Sequence, residues 1–190
     1  LNLVSKTIDG FELFRSKLHS EFEDKLSLGK FIQITGLSGT GKSVFLRQIA
    51  ESKINDLPFL FIKSDQLTGS NNWLDYLSRV RLPSFSISEW LISLEAVGGV
   101  PIVFIDGIDR VSENSKPIIE DLIRTIINTP DLDNWKIVTT LRDTGLEPLK
   151  IWIGPLLKNT IVQTVNVELL NDDESLALAQ QIPSIQKLLF

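Results

Sequence analysis

The sequence predicts an α/β protein with a doubly wound, mainly parallel sheet of five strands and helices on both faces. Short apolar runs alternate with segments of helical length, which is typical of strand–helix–strand units. A glycine-rich segment joins the first apolar run to the helix after it, and the third run ends in a carboxylate, Asp106. In such sheets ligands bind at the carboxyl ends of the strands, so both features are expected at one edge.

The strands are predicted at residues 31–35, 58–62, 100–105, 135–141 and 161–169. The first contains β-branched residues in an alternating pattern and stops at Gly36. The second and third are continuous apolar runs, as expected of parallel strands that are buried on both faces.

Helices are predicted at residues 43–52, 73–80, from 86 to the glycines at 98 and 99, 118–127, and from 171 to just before Pro183. Ser86 and Glu89 have the spacing of a capping box. The isoleucines and leucine of residues 118–127 lie on one helical face, and Pro130 ends that helix. The segment before residue 30 is amphipathic and is predicted as a helix leading into the core.

Composition narrows the range of functions. The 190 residues carry a net charge of −5, contain no cysteine and have one histidine. Disulfides, thiolate metal sites and most histidine-based chemistry are therefore excluded, and a broad nucleic-acid-binding surface is not indicated. Apolar runs such as 101–105 are too short to cross a membrane, and no secretion signal is visible, so we expect a cytoplasmic protein. The chain has no Met and ends in an apolar stretch, so we expect it to belong to a longer protein.

Residues 36–43, Gly-Leu-Ser-Gly-Thr-Gly-Lys-Ser, match the phosphate-binding pattern G-x-x-x-x-G-K-[ST] at each fixed position. Glycines let backbone N–H groups curl around a phosphate, and the following helix points its N-terminus at it. A chance match is expected in fewer than roughly one chain per hundred of this length. The pattern predicts a P-loop NTPase that binds ATP or ADP with Mg²⁺. The predicted nucleotide contacts are Gly36, Ser38, Gly39, Thr40, Gly41, Lys42, Ser43 and Val44.

Two acids follow the third strand. Asp106 is predicted to act on the Mg²⁺ ion together with the Ser43 hydroxyl, since buried strands of this fold deliver such a carboxylate. Asp109 is predicted either as the group that orients the attacking water or as an ordinary loop or salt-bridge residue. Gly107 follows Asp106, and Arg110 occupies a position where a further acid would help catalysis.

The fourth strand ends in hydroxyls and a guanidinium. Arg142 is predicted to sense or stabilise the γ-phosphate, because its planar fork suits anionic oxygens. The alternative is a strand-end arginine paired with Asp143 or with a surface acid. Thr139 or Thr140 is expected to assist by binding the attacking water.

Adenine is the predicted base. The extra apolar run at 58–62 implies a strand inserted between the strand before the glycine loop and the strand that ends at Asp106. In GTPases these two strands are adjacent. The guanine-reading pattern Asn-Lys-x-Asp is also missing after Asp106.

Three motifs together resemble the STAND class of P-loop ATPases, signalling proteins related to AAA+ ATPases. They are residues 34–43, 103–109 and 138–142; the Asp-Gly-x-Asp arrangement is similar to the NACHT branch. The resemblance implies that Lys42 and Ser43 act on phosphate and Mg²⁺, Asp106 on Mg²⁺, and Arg142 as sensor. It also implies that the helix from residue 172 begins a helical lid over the nucleotide. The expected domains are therefore a helical lead-in at 1–24, a nucleotide-binding domain at 25–170, and the start of the lid at 171–190.

The function expected from these features is a nucleotide-operated switch that hydrolyses ATP slowly and supports self-association of a larger protein, with defence signalling as the pathway the resemblance suggests. One alternative is an AAA+ type motor with a neighbour's arginine finger, for which Arg79, Arg81 and Arg124 are the candidates. A small-molecule kinase and an inactive scaffold are the others. Rapid turnover would favour the motor, and phosphate transfer to a small acceptor would favour the kinase.

Overall fold

The computed structural model describes residues 12–53, 58–95 and 99–182. Its five strands are β1 Phe31–Thr35, β2 Phe59–Lys63, β3 Ile102–Asp106, β4 Lys136–Thr140 and β5 Val162–Asn166. All strand pairs are parallel, and the order across the sheet is β2-β3-β4-β1-β5. The predicted five-stranded parallel sheet is therefore confirmed.

The helices are α1 Ser16–Leu28, α2 Lys42–Lys53, α3 Trp73–Arg79, α4 Ile87–Glu95, α5 Lys116–Asn128, α6 Leu146–Ile153 and α7 Asp172–Gln181. The predicted end of α4 at the glycine pair lies partly outside the described residues. Residues 1–11 of the predicted lead-in and residues 183–190 of the predicted lid lie wholly outside them. None of the helices in the described part of the chain has the length and hydropathy to cross a membrane.

Helix α6 is absent from the sequence-based prediction. Its eight residues contain Pro148 and are bounded by Gly145 and Gly154, a composition typical of a loop. Pro148 falls in the first turn, where its missing N–H removes no helical hydrogen bond, and Leu149 and Ile153 are buried. Packing of this apolar face decides the helix.

The strand between β1 and β3 is not the one that the sequence suggested. A strand does separate β1 from β3, but it is β4, and the run at 58–62 forms β2 at the sheet edge. The number of strands preceding Asp106 along the chain does not determine their spatial order, because a crossover connection can skip a position. Because β4 lies between β1 and β3, its carboxyl end lies between the end of β1, which leads into the glycine loop, and the end of β3, which carries Asp106.

Both faces of the sheet are covered. Strand residues alternate between the two cores: in β3, Val103 and Ile105 belong to one, and Ile102 and Phe104 to the other. The first core is closed by α3 to α6, and the second by α1 and α2. This two-sided burial explains why the β3 sequence is apolar up to its last residue, Asp106.

Candidate functional site

The loop between β1 and α2 lies at the carboxyl edge of the sheet. Its glycines all have positive φ angles, 144° at Gly36, 85° at Gly39 and 91° at Gly41. A Cβ atom added to Gly36 would lie 2.4 Å from the Val167 carbonyl oxygen, so the loop touches the backbone that follows β5. The first glycine of the pattern thus has a packing role in addition to its conformational one.

We expect Gly36→Ala to destabilise the protein by about 2–4 kcal/mol, because it combines an unfavourable φ with a clash against backbone. The measurement is thermal or denaturant unfolding. Gly39→Ala is the matched control, since its φ is also positive but no atom lies within 4 Å of the added Cβ. Equal stability of the two variants would contradict the close-approach explanation.

Lys42 is the first residue of α2 and is largely buried. Its ammonium donates to the carbonyl oxygens of Gly36, at 2.8 Å, and Leu37, at 2.5 Å. Burial lowers the pKa of Lys42, and the nearby carboxylates of Asp143 and Asp109 partly oppose that shift. The predicted phosphate-binding cation therefore lies against its own glycine loop.

A hydroxyl–carboxylate–hydroxyl cluster connects α2, β3 and β4. Oδ1 of Asp106 accepts hydrogen bonds from the Ser43 hydroxyl at 2.7 Å and from the Thr140 hydroxyl at 2.6 Å. The Thr140 oxygen in turn accepts from the Gly107 N–H at 2.7 Å. Asp106 and Ser43, 63 residues apart in the chain, are thus brought together as the sequence predicts.

The oxygen donors of this cluster suit a hard cation such as Mg²⁺. In the described part of the chain no three His, Cys, Asp or Glu side chains come together to form an all-protein metal site. A Mg²⁺ ion beside Ser43 and Asp106 would therefore depend on phosphate and water for further ligands, which is how Mg²⁺ is usually bound with nucleotides.

The two threonines of β4 differ in their surroundings. The Thr139 hydroxyl is fully buried and donates to the Ile105 carbonyl oxygen at 3.0 Å, so it is used inside the sheet. Thr140 instead borders an open cavity beside the glycine loop, and its hydroxyl donates to Asp106 and accepts from the Gly107 N–H. A role for Thr139 in binding water, which the sequence left open, does not fit this geometry. The fixing of Asp106 by Thr140 has no signature in the sequence.

Arg142 pairs with Asp109, an acid that the sequence did not suggest as its partner. The Arg142 Nε donates to Asp109 Oδ2 at 2.6 Å. The Arg142 side chain is 48% exposed, and the Asp109 side chain is 3% exposed. Asp143, the predicted alternative partner, is exposed in the same turn. Beside this pair the Arg110 guanidinium packs against Gly107.

These groups surround a cavity of about 330 Å³, which we call the phosphate-side cavity. The predicted site residues Lys42, Ser43, Asp109 and Arg142 all border it, and Arg110, which sequence reasoning did not assign, borders it as well. The remaining lining is Ser38, Gly39, Gly41, Val44, Gly107, Thr140 and Leu141. Three cationic side chains therefore converge on one small cavity.

A second cavity of about 500 Å³ lies on the other side of the glycine loop and shares Gly39, Gly41 and Val44 with the first. We call it the apolar cavity. Its remaining lining is Leu13, Arg15, Thr40, Phe45, Gln48, Val167, Leu169, Leu170, Ser175 and Leu178. Sequence reasoning missed all of its walls except the loop, and the only available signal was the set of apolar residues after the fifth strand.

No protein-family model matches the chain, and neither does any protein of curated function. Among solved structures, a Walker-type ATPase of Pyrococcus abyssi is similar, with a TM-score of 0.65 at 18% sequence identity. The similarity covers 89% of this chain and 57% of that protein, so the chain spans little more than half the length of the matched structure. The likeness, together with the parallel five-stranded sheet, shows a P-loop NTPase fold.

Proposed function

We propose that the chain binds ATP or ADP with Mg²⁺ and serves as the slowly hydrolysing nucleotide switch of a larger STAND-like, NACHT-related ATPase. The observation that carries the proposal is the convergence of Lys42, Ser43 and Asp106 beside the glycine loop at the N-terminus of α2. A phosphate at this position would meet backbone N–H groups, an ammonium and the positive end of a helix dipole.

The phosphates are assigned to the phosphate-side cavity. Lys42 would exchange its two carbonyl contacts for phosphate oxygens, and Arg110 and Arg142 border the same space. Ser43 and Asp106 would hold Mg²⁺, which neutralises phosphate charge when bound. Buried Asp106 is kept in place beside Ser43 by the hydrogen bond from Thr140.

The base is assigned to the apolar cavity. Its walls are mainly aliphatic and aromatic, with Val44 and Phe45 from α2 and Val167, Leu169 and Leu178 from the segment after β5. Apolar walls with a few polar groups are the usual surroundings of a nucleotide base, and Gln48 is a polar group within this lining. We favour adenine because the guanine-reading pattern Asn-Lys-x-Asp is missing after Asp106.

The segment around α7 is proposed as the moving part of the switch and the beginning of a lid. The capping box of Asn171 and Glu174 fixes the start of α7, and Glu174 accepts a hydrogen bond from Arg15 at 2.9 Å. Leu178 of α7 and Val44 of α2 line the same cavity. A base that fills the cavity would therefore contact both the core and α7, which would couple nucleotide binding to the position of α7 and, in the larger protein, to self-association.

Calorimetric titration tests this function. We expect saturable binding of ATP and ADP in the presence of Mg²⁺, with GTP at least about tenfold weaker because the sequence lacks the guanine-reading pattern after Asp106. Turnover should remain well below about 1 s⁻¹. Absence of ATP and ADP binding would contradict the proposal, and turnover above that rate would favour the motor over the switch.

A further inference from the structure

The buried carboxylate of Asp109 has a defined place at the phosphate-side cavity. Asp109 lies in the short helical turn after β3, and Arg142 follows β4, the neighbouring strand. Their side chains meet through Arg142 Nε and Asp109 Oδ2 at 2.6 Å. Since 33 residues separate them in the chain, the contact depends on the parallel pairing of the two strands.

The turn that carries Arg142 closes over Asp109. The Gly145 N–H donates to the Arg142 carbonyl oxygen at 2.8 Å, which brings Gly145 back towards the strand end. A Cβ added to Gly145 would lie 2.5 Å from the Asp109 Cβ, so only a glycine allows this approach. Asp109 is therefore packed on one side by the turn and occupied on the other by the guanidinium.

Exposure distinguishes the two members of the pair. A general base has to reach the water that it activates. Only 3% of the Asp109 side chain is exposed, whereas 48% of the Arg142 side chain is exposed and borders the cavity beside Lys42. The arrangement suits an acid that acts through the arginine better than one that acts on water.

We propose that Asp109 is a positioning residue for Arg142 and thereby sets the preference of the site for ATP over ADP. The bond to Asp109 uses Nε, and within the described part of the chain no hydrogen bond engages the two terminal nitrogens of Arg142. Those nitrogens form the fork that binds phosphate oxygens. The γ-phosphate distinguishes ATP from ADP, so an arginine held at the cavity wall contributes to ATP binding in particular. This role rests on the nucleotide site proposed above.

The test compares ATP and ADP affinities, measured by calorimetry with Mg²⁺, for Asp109→Ala, Asp109→Asn and Arg142→Ala. We expect Asp109→Ala to weaken ATP binding about tenfold and ADP binding less than about twofold. Asp109→Asn keeps an acceptor oxygen and should lose only about threefold for ATP. Asp131→Asn is the control, since it removes an exposed carboxylate from the turn that precedes the amino end of β4, and its ATP-to-ADP affinity ratio should equal that of the wild type.

The double variant Asp109→Ala/Arg142→Ala should bind ATP no more weakly than Arg142→Ala alone, because Asp109 acts through the arginine. Additive losses would overturn the proposal. An unchanged ATP-to-ADP ratio in Asp109→Asn, with turnover abolished, would overturn it in favour of a general base. If the wild type bound neither nucleotide, the proposed function itself would be contradicted and this role with it. Thermal unfolding identifies variants that do not fold, and Asp109→Asn, which preserves shape and an acceptor, then decides the outcome.

Discussion

Lys42→Ala should weaken ATP and ADP binding by about 100-fold or more, because it removes charge-assisted hydrogen bonds worth about 1.5–3 kcal/mol each. The ammonium is placed by its position as the first residue of α2 and by the carbonyl oxygens of Gly36 and Leu37. Burial lowers the pKa of Lys42, which means that the charged ammonium is destabilised in the free protein. An anionic ligand would offset this destabilisation. Calorimetric titration with both nucleotides measures the loss.

Lys53→Ala is the control for this prediction. Lys53 lies at the other end of α2, and its ammonium pairs with Glu23 at 2.9 Å on the surface. We expect its nucleotide affinity to equal that of the wild type, and both variants should unfold at similar temperatures. Unchanged ATP affinity in Lys42→Ala would show that nucleotide binds elsewhere, or that the glycine loop alone is sufficient.

Asp106→Asn should lower ATP turnover by about 100-fold and abolish most of the Mg²⁺ dependence of ATP affinity. The carboxylate oxygen Oδ1 accepts from both Ser43 and Thr140, and the amide keeps only one acceptor oxygen and adds an N–H₂ donor. The amide also lacks the negative charge that attracts Mg²⁺. Steady-state phosphate release, and ATP titrations with Mg²⁺ and with chelator, measure the two effects.

Asp131→Asn provides the comparison for the second prediction. Asp131 is exposed in the turn after α5, which precedes the amino end of β4. Turnover and Mg²⁺ dependence should be unaffected by this change. If Asp106→Asn retained the full Mg²⁺ dependence, then the Ser43–Asp106 cluster would be structural and the metal would lie elsewhere.

The parts of the site that are local in sequence were predicted, whereas contacts between distant elements were not. The glycine loop and the end of β3 are marked by residue types that few other structures need, so Lys42, Ser43 and Asp106 were found directly. Their nucleotide and metal roles remain predictions. The Asp109–Arg142 pair and the Thr140–Asp106 hydrogen bond join neighbouring strands 33 or 34 residues apart, and no local pattern encodes such pairs.

The elements show the same division. Apolar periodicity predicted all five strands and six of the seven helices in the described part of the chain, because alternation and helical spacing are local properties. Helix α6 was missed because Pro148 and the flanking glycines are typical of loops, and only burial of Leu149 and Ile153 against the core favours a helix there. The order of the strands along the chain also did not predict that β4 lies between β1 and β3.

The sequence by itself therefore determined the α/β class, the glycine loop and the acidic end of β3, because each depends on the conformational or chemical properties of a few consecutive residues. The tertiary structure decided the strand order, the apolar cavity and the partner of Arg142. These features depend on which surfaces bury each other best, and that free energy is summed over residues from the whole chain rather than from any one segment. The glycine loop is recognisable from the eight consecutive residues 36–43, but the two cavities beside it form only in the folded protein.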